Sequence, residues 1–133
     1  FNDLTRKDIR FVNRIGGSGT RVYLDSVLKK LDINAEKIEG YSTQKLTHND
    51  VASDVSENRA DVGLGMEASA RLYHLDFIFE NLERYDLVLR QELLEATPVK
   101  NLISWLKSEQ FSELLDRFHG YDASESGKIQ LLN

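Results

Sequence analysis

The 133-residue chain has no cysteine and only one proline, one tryptophan and one methionine. Without cysteine there is no disulfide framework, thiolate zinc site, iron–sulfur cluster or cysteine nucleophile, and redox chemistry would need a bound cofactor; the compartment stays open. The 41% apolar and 29% charged content is that of a globular domain, which excludes collagen, coiled coil and disorder. No apolar stretch approaches the roughly 18 residues of a membrane-crossing helix, and no signal peptide is visible at Phe1. A start without methionine predicts a processed or trimmed chain. With 17 Lys+Arg against 22 Asp+Glu, the net charge is −5. The cations are scattered rather than striped, so direct nucleic-acid contact by this segment is not expected.

What is present alternates between strand and helix signals. Ile9, Phe11 and Val12 form a short apolar run before Asn13 and Arg14, and read as a strand. A glycine cluster breaks the pattern, and Val22, Leu24, Val27, Leu28 and Leu31 follow at helical spacing. A weak second strand is expected around residues 37–40. Thr47 with Asp50 three residues on is a capping-box signal for a helix carrying Val51, Ala52 and Val55. Residues 60–66 read as a buried strand, 67–73 as a short helix, and 75–81 and 85–90 as two further strands. Thr97 as N-cap with Pro98 at the first helical position opens a helical stretch to Phe118, either continuous or split near Ser108. Short loops between these signals predict an α/β three-layer unit with a largely parallel sheet.

The segment Phe11-Val12-Asn13-Arg14-Ile15-Gly16-Gly17-Ser18-Gly19-Thr20-Arg21 carries the chemistry. It places three glycines, two hydroxyls and two guanidinium groups at a strand-to-helix junction. Free N–H groups and the helix dipole favour an anion there, and glycine lets a ligand approach the backbone. The spacing fits neither the dinucleotide fingerprint nor the Walker loop. A plain glycine turn capped by Ser18, with both arginines solvated, fits the same residues, and pattern alone leaves both readings open.

Four blocks break the tie: residues 11–21; Gly40-Tyr41 with Thr47-His48 and Val51-Ala52; the run Ala60-Asp61-Val62-Gly63-Leu64-Gly65; and Leu75 to Phe77 leading to Tyr85-Asp86-Leu87-Val88. Gly120-Tyr121-Asp122 and Ser126-Gly127-Lys128 fit as well. Together they resemble the periplasmic-binding-protein-like ligand domain of the molybdate/tungstate-binding type, found alone or fused to a DNA-binding helix-turn-helix or a molybdopterin-biosynthesis domain. The resemblance implies a type II fold, two α/β lobes that clamp a ligand between them. This chain, 1–133, would be one partial domain of that kind. Residues 11–81 would form an α/β/α second lobe, and 85–118 a return strand and C-terminal helices of the first lobe. The stretch that builds most of the first lobe has no counterpart here, so a partner domain, partner chain or homodimer is expected over the open face.

The resemblance also implies ligand-binding roles for Arg14, Gly17, Ser18, Gly19, Thr20 and Arg21. Phosphate-binding relatives read Arg-x-Asp-Gly-Ser-Gly-Thr across this loop, and the Asp is Gly16 here. A carboxylate there accepts the proton of monohydrogen phosphate and repels a fully ionised anion. Its replacement tilts the choice toward molybdate, tungstate, sulfate or an organic carboxylate. Tyr85 falls where oxyanion-binding relatives place a donating tyrosine, though an aromatic at a strand start also packs. Gly65 and Met66 sit at another strand-to-helix junction, where open α/β sheets bind ligands. Glu67 fits a helix N-terminus rather than an anion site. Thr47-His48 reads either as a cap followed by a surface histidine or as a cleft contact. No cluster has metal spacing, and no base, nucleophile or cofactor anchor is visible. The expectation is therefore a non-enzymatic domain without cofactor or metal, capturing or sensing a small anion and coupled to a transport permease or a fused DNA-binding domain. It would be periplasmic or extracellular if secreted, and cytoplasmic if fused. The alternative is an accessory part of a molybdopterin-biosynthesis enzyme.

Overall fold

Phe11 and Val12 are consecutive in one strand, and their side chains enter different cores. Phe11 packs with Leu4, Leu24, Leu28 and Ile38, whereas Val12 packs with Val51 and Ala60. Alternation along a strand sends neighbours to opposite faces, so helices cover both sides of the sheet. The structure, a computed structural model, describes residues 1–132. It divides into two compact units, Phe1–Ile78 and Phe79–Asn133.

In the first unit β1 (Phe11–Arg14) is the central strand of a three-stranded parallel sheet in the order β2-β1-β3, with β2 at Gln44–Lys45 and β3 at Val62–Gly63. Asn13 is opposite Gln44 and Phe11 is opposite Val62. Helix α1 (Gly19–Lys30) starts where Ser18 Oγ accepts from Arg21 N at 3.2 Å, and Leu24 and Leu28, four apart, bury its inner face. Burial of each such side chain contributes about 1.5–3 kcal/mol. Helix α2 (His48–Ser56) starts in the expected capping box: Asp50 N donates to Thr47 Oγ1 and Thr47 N to the Asp50 carboxylate, both at 3.0 Å. Its buried Asp54 is held between Lys45 and Arg59 at 2.9 and 2.8 Å. Burial pushes that carboxyl up, but the two cations outweigh it and hold the group below its ordinary range. Helix α3 (Glu67–Leu72) is tied to α2 by Ser69 Oγ donating to Asn49 Oδ1 at 2.8 Å.

The α/β class with helices on both faces and further helices toward the C-terminus is as expected, but several strands are not. Residues 37–40 are not a strand: a 3₁₀ turn occupies Ala35–Lys37, and β2 begins later. The chain does run beside β1, with Phe11 N donating to Glu39 O at 2.8 Å and Asn13 N to Thr43 O at 2.9 Å. Gly40 interrupts the ladder with φ +84°, and a Cβ there would stand 1.9 Å from the Phe11 carbonyl oxygen. The strands expected at 75–81 and 85–90 are irregular. Their alternating apolar side chains find no strand to pair with among the described residues, and β-propensity is realised only through such pairing.

The second unit holds a 3₁₀ turn at Gln91–Glu95, then α4 (Thr97–Leu106) and α5 (Glu109–Asp116). Ala96, not Thr97, is the N-cap; Pro98 falls in the first turn, where a missing N–H costs nothing. The helices separate at Ser108, whose Oγ accepts from Phe111 N at 3.3 Å, and the Trp105 and Phe111 rings meet 4.7 Å apart across the break.

Candidate functional site

All three parallel strands deliver their C-terminal ends to one edge of the first unit. β1 ends at Arg14 and turns into α1, β2 ends at Lys45 and turns into α2, and β3 ends at Gly63 and leads to α3. In an open α/β sheet this edge is where ligands bind, because helix N-termini and loop amides gather there.

Arg14 spans two of the junctions: its Nη2 donates to Leu46 O at 2.9 Å, just before α2. His48, the first residue of α2, turns Nδ1 toward the third, where a Cβ placed on Gly65 would be 3.7 Å away. Burial lowers the His48 pKa and the Arg14 charge lowers it further, so the ring is held neutral beside a fixed cation. Arg14 Nε, Arg14 Nη1 and His48 Nδ1 are shielded from solvent and have no hydrogen-bond partner. Each such group costs about 1–3 kcal/mol while it stays unpaired.

The loop between β1 and α1 turns at Gly17, which takes φ +86°. Side chains added at Gly16 or Gly17 would meet nothing within 4 Å, so the turn is unbraced on its outer side. Ser18 N donates to Ile15 O at 3.2 Å and is occupied, whereas the N–H groups of Gly19 and Thr20 have no backbone acceptor. Ser18 Oγ uses a lone pair on Arg21 N and keeps its own proton to donate.

Arg21 is mostly engaged elsewhere. It pairs with Asp25 at 2.9 Å, lies 4.2 Å from the Tyr41 ring centroid, and Tyr41 Oη donates to Asp25 at 2.6 Å. Its Nη1 alone is buried without a partner. Met66 caps α3 through its backbone, and its carbonyl accepts from Ser69 N and Ala70 N. The structure thus brings Arg14, His48 and Gly65 together at the strand ends, with Gly17, Ser18, Gly19 and Thr20 on the adjoining turn. Tyr85 belongs to the second unit, 69% exposed in the irregular segment. Sequence reasoning left His48 undecided; the signal was available in the capping box, which fixes it as the first helical residue after a strand.

A cleft of about 270 Å³ lies at the opposite end of the strands, lined by Arg10, Glu39, Asp54 and Arg59 among others. The Arg10–Asp61 and Arg59–Asp54 ion pairs occupy both of its arginines, which makes it the weaker candidate for an anion. No group of three or more His, Asp or Glu able to hold a metal occurs among the described residues, and none of their helices is long and apolar enough to cross a membrane.

Comparison with known proteins fits this architecture. The chain is similar to the uncharacterized protein YvgK of Bacillus subtilis (strain 168), 38% identical over 134 residues, covering 98% of this chain and 42% of that protein. It therefore spans less than half the length of that relative. An uncharacterized protein in the ferredoxin 2Fe-2S gene 5' region of Clostridium pasteurianum is 36% identical over 109 residues, 81% of this chain and 96% of that one. No solved structure matches. The PBP superfamily domain profile matches residues 1–107, so this chain, with its parallel sheet and its donors gathered at the strand ends, belongs to the periplasmic-binding-protein-like superfamily.

Proposed function

We propose that this domain binds a small oxyanion, of the molybdate, tungstate or sulfate kind, at the C-terminal edge of its parallel sheet, and serves solute capture or ligand sensing. The carrying observation is the set of shielded, unpartnered nitrogens of Arg14 and His48 at the junction of three strand ends. An acceptor among them relieves the Arg14 donors that are otherwise left without partners. The unbraced Gly16-Gly17 turn gives the freedom to admit it. Arg14, the amides of Gly19 and Thr20, the Ser18 hydroxyl and the backbone at Gly65 and Met66 are the contacts in this reading, with Gly17 shaping the turn. Arg21 is a secondary member. Charge-assisted hydrogen bonds of about 1.5–3 kcal/mol each reach the roughly 8 kcal/mol of micromolar binding only if several act together. The net charge of −5 opposes an anion, so affinity comes from these local donors.

Gly16 in place of an acidic residue favours a fully ionised anion over monohydrogen phosphate. Exposed apolar side chains between Phe77 and Leu89 support a further element of this reading, a second lobe or partner chain that completes the cleft. Thermal unfolding with molybdate, tungstate, sulfate and phosphate tests it. A ligand at one hundred times its Kd stabilises the fold by about 2.7 kcal/mol. The expected result is a rise in Tm with molybdate or sulfate that Arg14→Met abolishes. A flat response to all four overturns the oxyanion reading, and a larger shift with phosphate than with molybdate overturns the role given to Gly16.

A further inference from the structure

His48 is the one group at the strand-end edge whose charge can change near neutral pH. The capping box fixes its backbone as the first residue of α2, and its Nδ1 faces Gly65 without a partner. We propose that His48 contacts the bound anion and takes up one proton as the anion binds, so that occupancy of the site is set jointly by anion concentration and pH. The proposal rests on the oxyanion reading of this same edge.

The charges around the ring carry the argument. β1 contributes Arg14, whose Nε and Nη1 have no partner. β2 contributes Lys45, which is paired at 2.9 Å with the Asp54 carboxylate that also holds Arg59. β3, at Val62–Gly63, brings no charge. On α2 itself the Asp50 carboxylate accepts from the Thr47 N–H, stays ionised, and lies within electrostatic reach of Arg14 and Lys45. On α3 Glu67 is paired with Arg71 at 3.1 Å. Burial and the Arg14 charge together hold the His48 pKa down, so the imidazole is neutral in the free protein at neutral pH. A dianion seated against Arg14 reverses the sign of the local field. The imidazole then gains a proton from solvent, and the resulting N–H donates to a ligand oxygen; one proton leaves the buffer for each anion bound.

The sign follows from linkage. The His48 pKa is below its ordinary value of about 6.5 in the free protein and higher in the complex, so affinity falls as pH rises between the two, by at most about tenfold per pH unit for one proton.

Calorimetric titration of the chain with sulfate and with molybdate, from about pH 6 to about pH 8 in buffers of different ionisation enthalpy, reads the proton count directly. These anions stay fully ionised at the concentrations used, so a proton taken up belongs to the protein. The expected result is uptake of up to one proton at pH values between the free and bound values, falling to zero above the bound value, and none for His48→Gln, which keeps a donor but does not titrate. Binding without uptake, or uptake that persists in His48→Gln, overturns the proposal while leaving the oxyanion reading intact. No binding of either anion overturns both. Should His48→Gln fail to fold, NMR titration of the wild-type His48 imidazole decides instead: sulfate is expected to raise its pKa. A His48 pKa that does not move while sulfate binds is the overturning result.

Discussion

Gly63 and Val51 are packed so closely that a Cβ on Gly63 would lie 2.4 Å from Val51 Cγ1, with Val12 Cγ1 at 3.0 Å. β3 can approach α2 only because position 63 has no side chain. Gly63→Ala is expected to destabilise the first unit by about 1–3 kcal/mol through overpacking. Val51→Ala removes the methyl that clashes, so the double variant should be more stable than the sum of the two single losses allows. Urea midpoints for the four proteins of this cycle are the measurement; strict additivity would mean that the strain falls on Val12 instead.

Arg10 and Asp61 clasp the start of β1 to the start of β3. The Asp61 carboxylate accepts from Arg10 Nη2 at 2.8 Å and from the Arg10 backbone N–H at 2.7 Å, which holds its pKa down at about 2. A depressed carboxyl pKa contributes stability that is complete above the unfolded value of about 3.9 and is lost as pH falls toward the folded value. Asp61→Asn should therefore lower the urea midpoint at about pH 5 and come progressively closer to wild type as pH falls toward about 2, where the folded carboxyl is half protonated and most of its contribution is gone. An equal loss at both pH values would assign the effect to packing.

The elements that could be read from sequence are those whose cause is local. The Thr47/Asp50 pair writes the start of α2, the helical spacing from Val22 to Leu31 writes α1, and Ser108 marks the break between α4 and α5. What could not be read depends on residues far apart in the chain. β2 is two polar residues, Gln44 and Lys45, recognisable only by their register with Asn13 and Arg14. The shielding of His48 Nδ1 depends on Gly65 arriving from another strand. Residues 75–81 and 85–90 carry strand-like alternation, but a strand exists only when another pairs with it.

That last point has a measurable consequence. Residues 76–90 lie in neither a helix nor a strand, whereas Phe11, Asn13 and Ile15 donate to the chain beside β1 at 2.8–2.9 Å. Hydrogen exchange of the isolated chain is expected to be near the intrinsic rate over 76–90 and slowed by orders of magnitude at Phe11 and Asn13. Protection of 76–90 at high protein concentration only would identify a second copy of the chain as the missing pairing partner.

Ser18 has two roles in this account, and one substitution separates them. As N-cap it accepts from Arg21 N at 3.2 Å, and as a hydroxyl it donates toward the bound anion. Ser18→Ala loses both, at a cost of about 1 kcal/mol for the cap, so a weakened response to anions would be ambiguous. Ser18→Asp keeps the acceptor, since aspartate caps helices as well as serine, and its charge complements the dipole of α1. It also sets a negative charge where the anion would sit. The variant is expected to unfold at or above the wild-type Tm in anion-free buffer and to show no shift with molybdate or sulfate. A full anion shift in Ser18→Asp would remove Ser18 from the site and leave it a cap alone. A drop in Tm without anion would mean that the cap geometry does not tolerate the longer side chain, and Ser18→Asn, which caps without charge, would then be expected to restore both the Tm and part of the anion response.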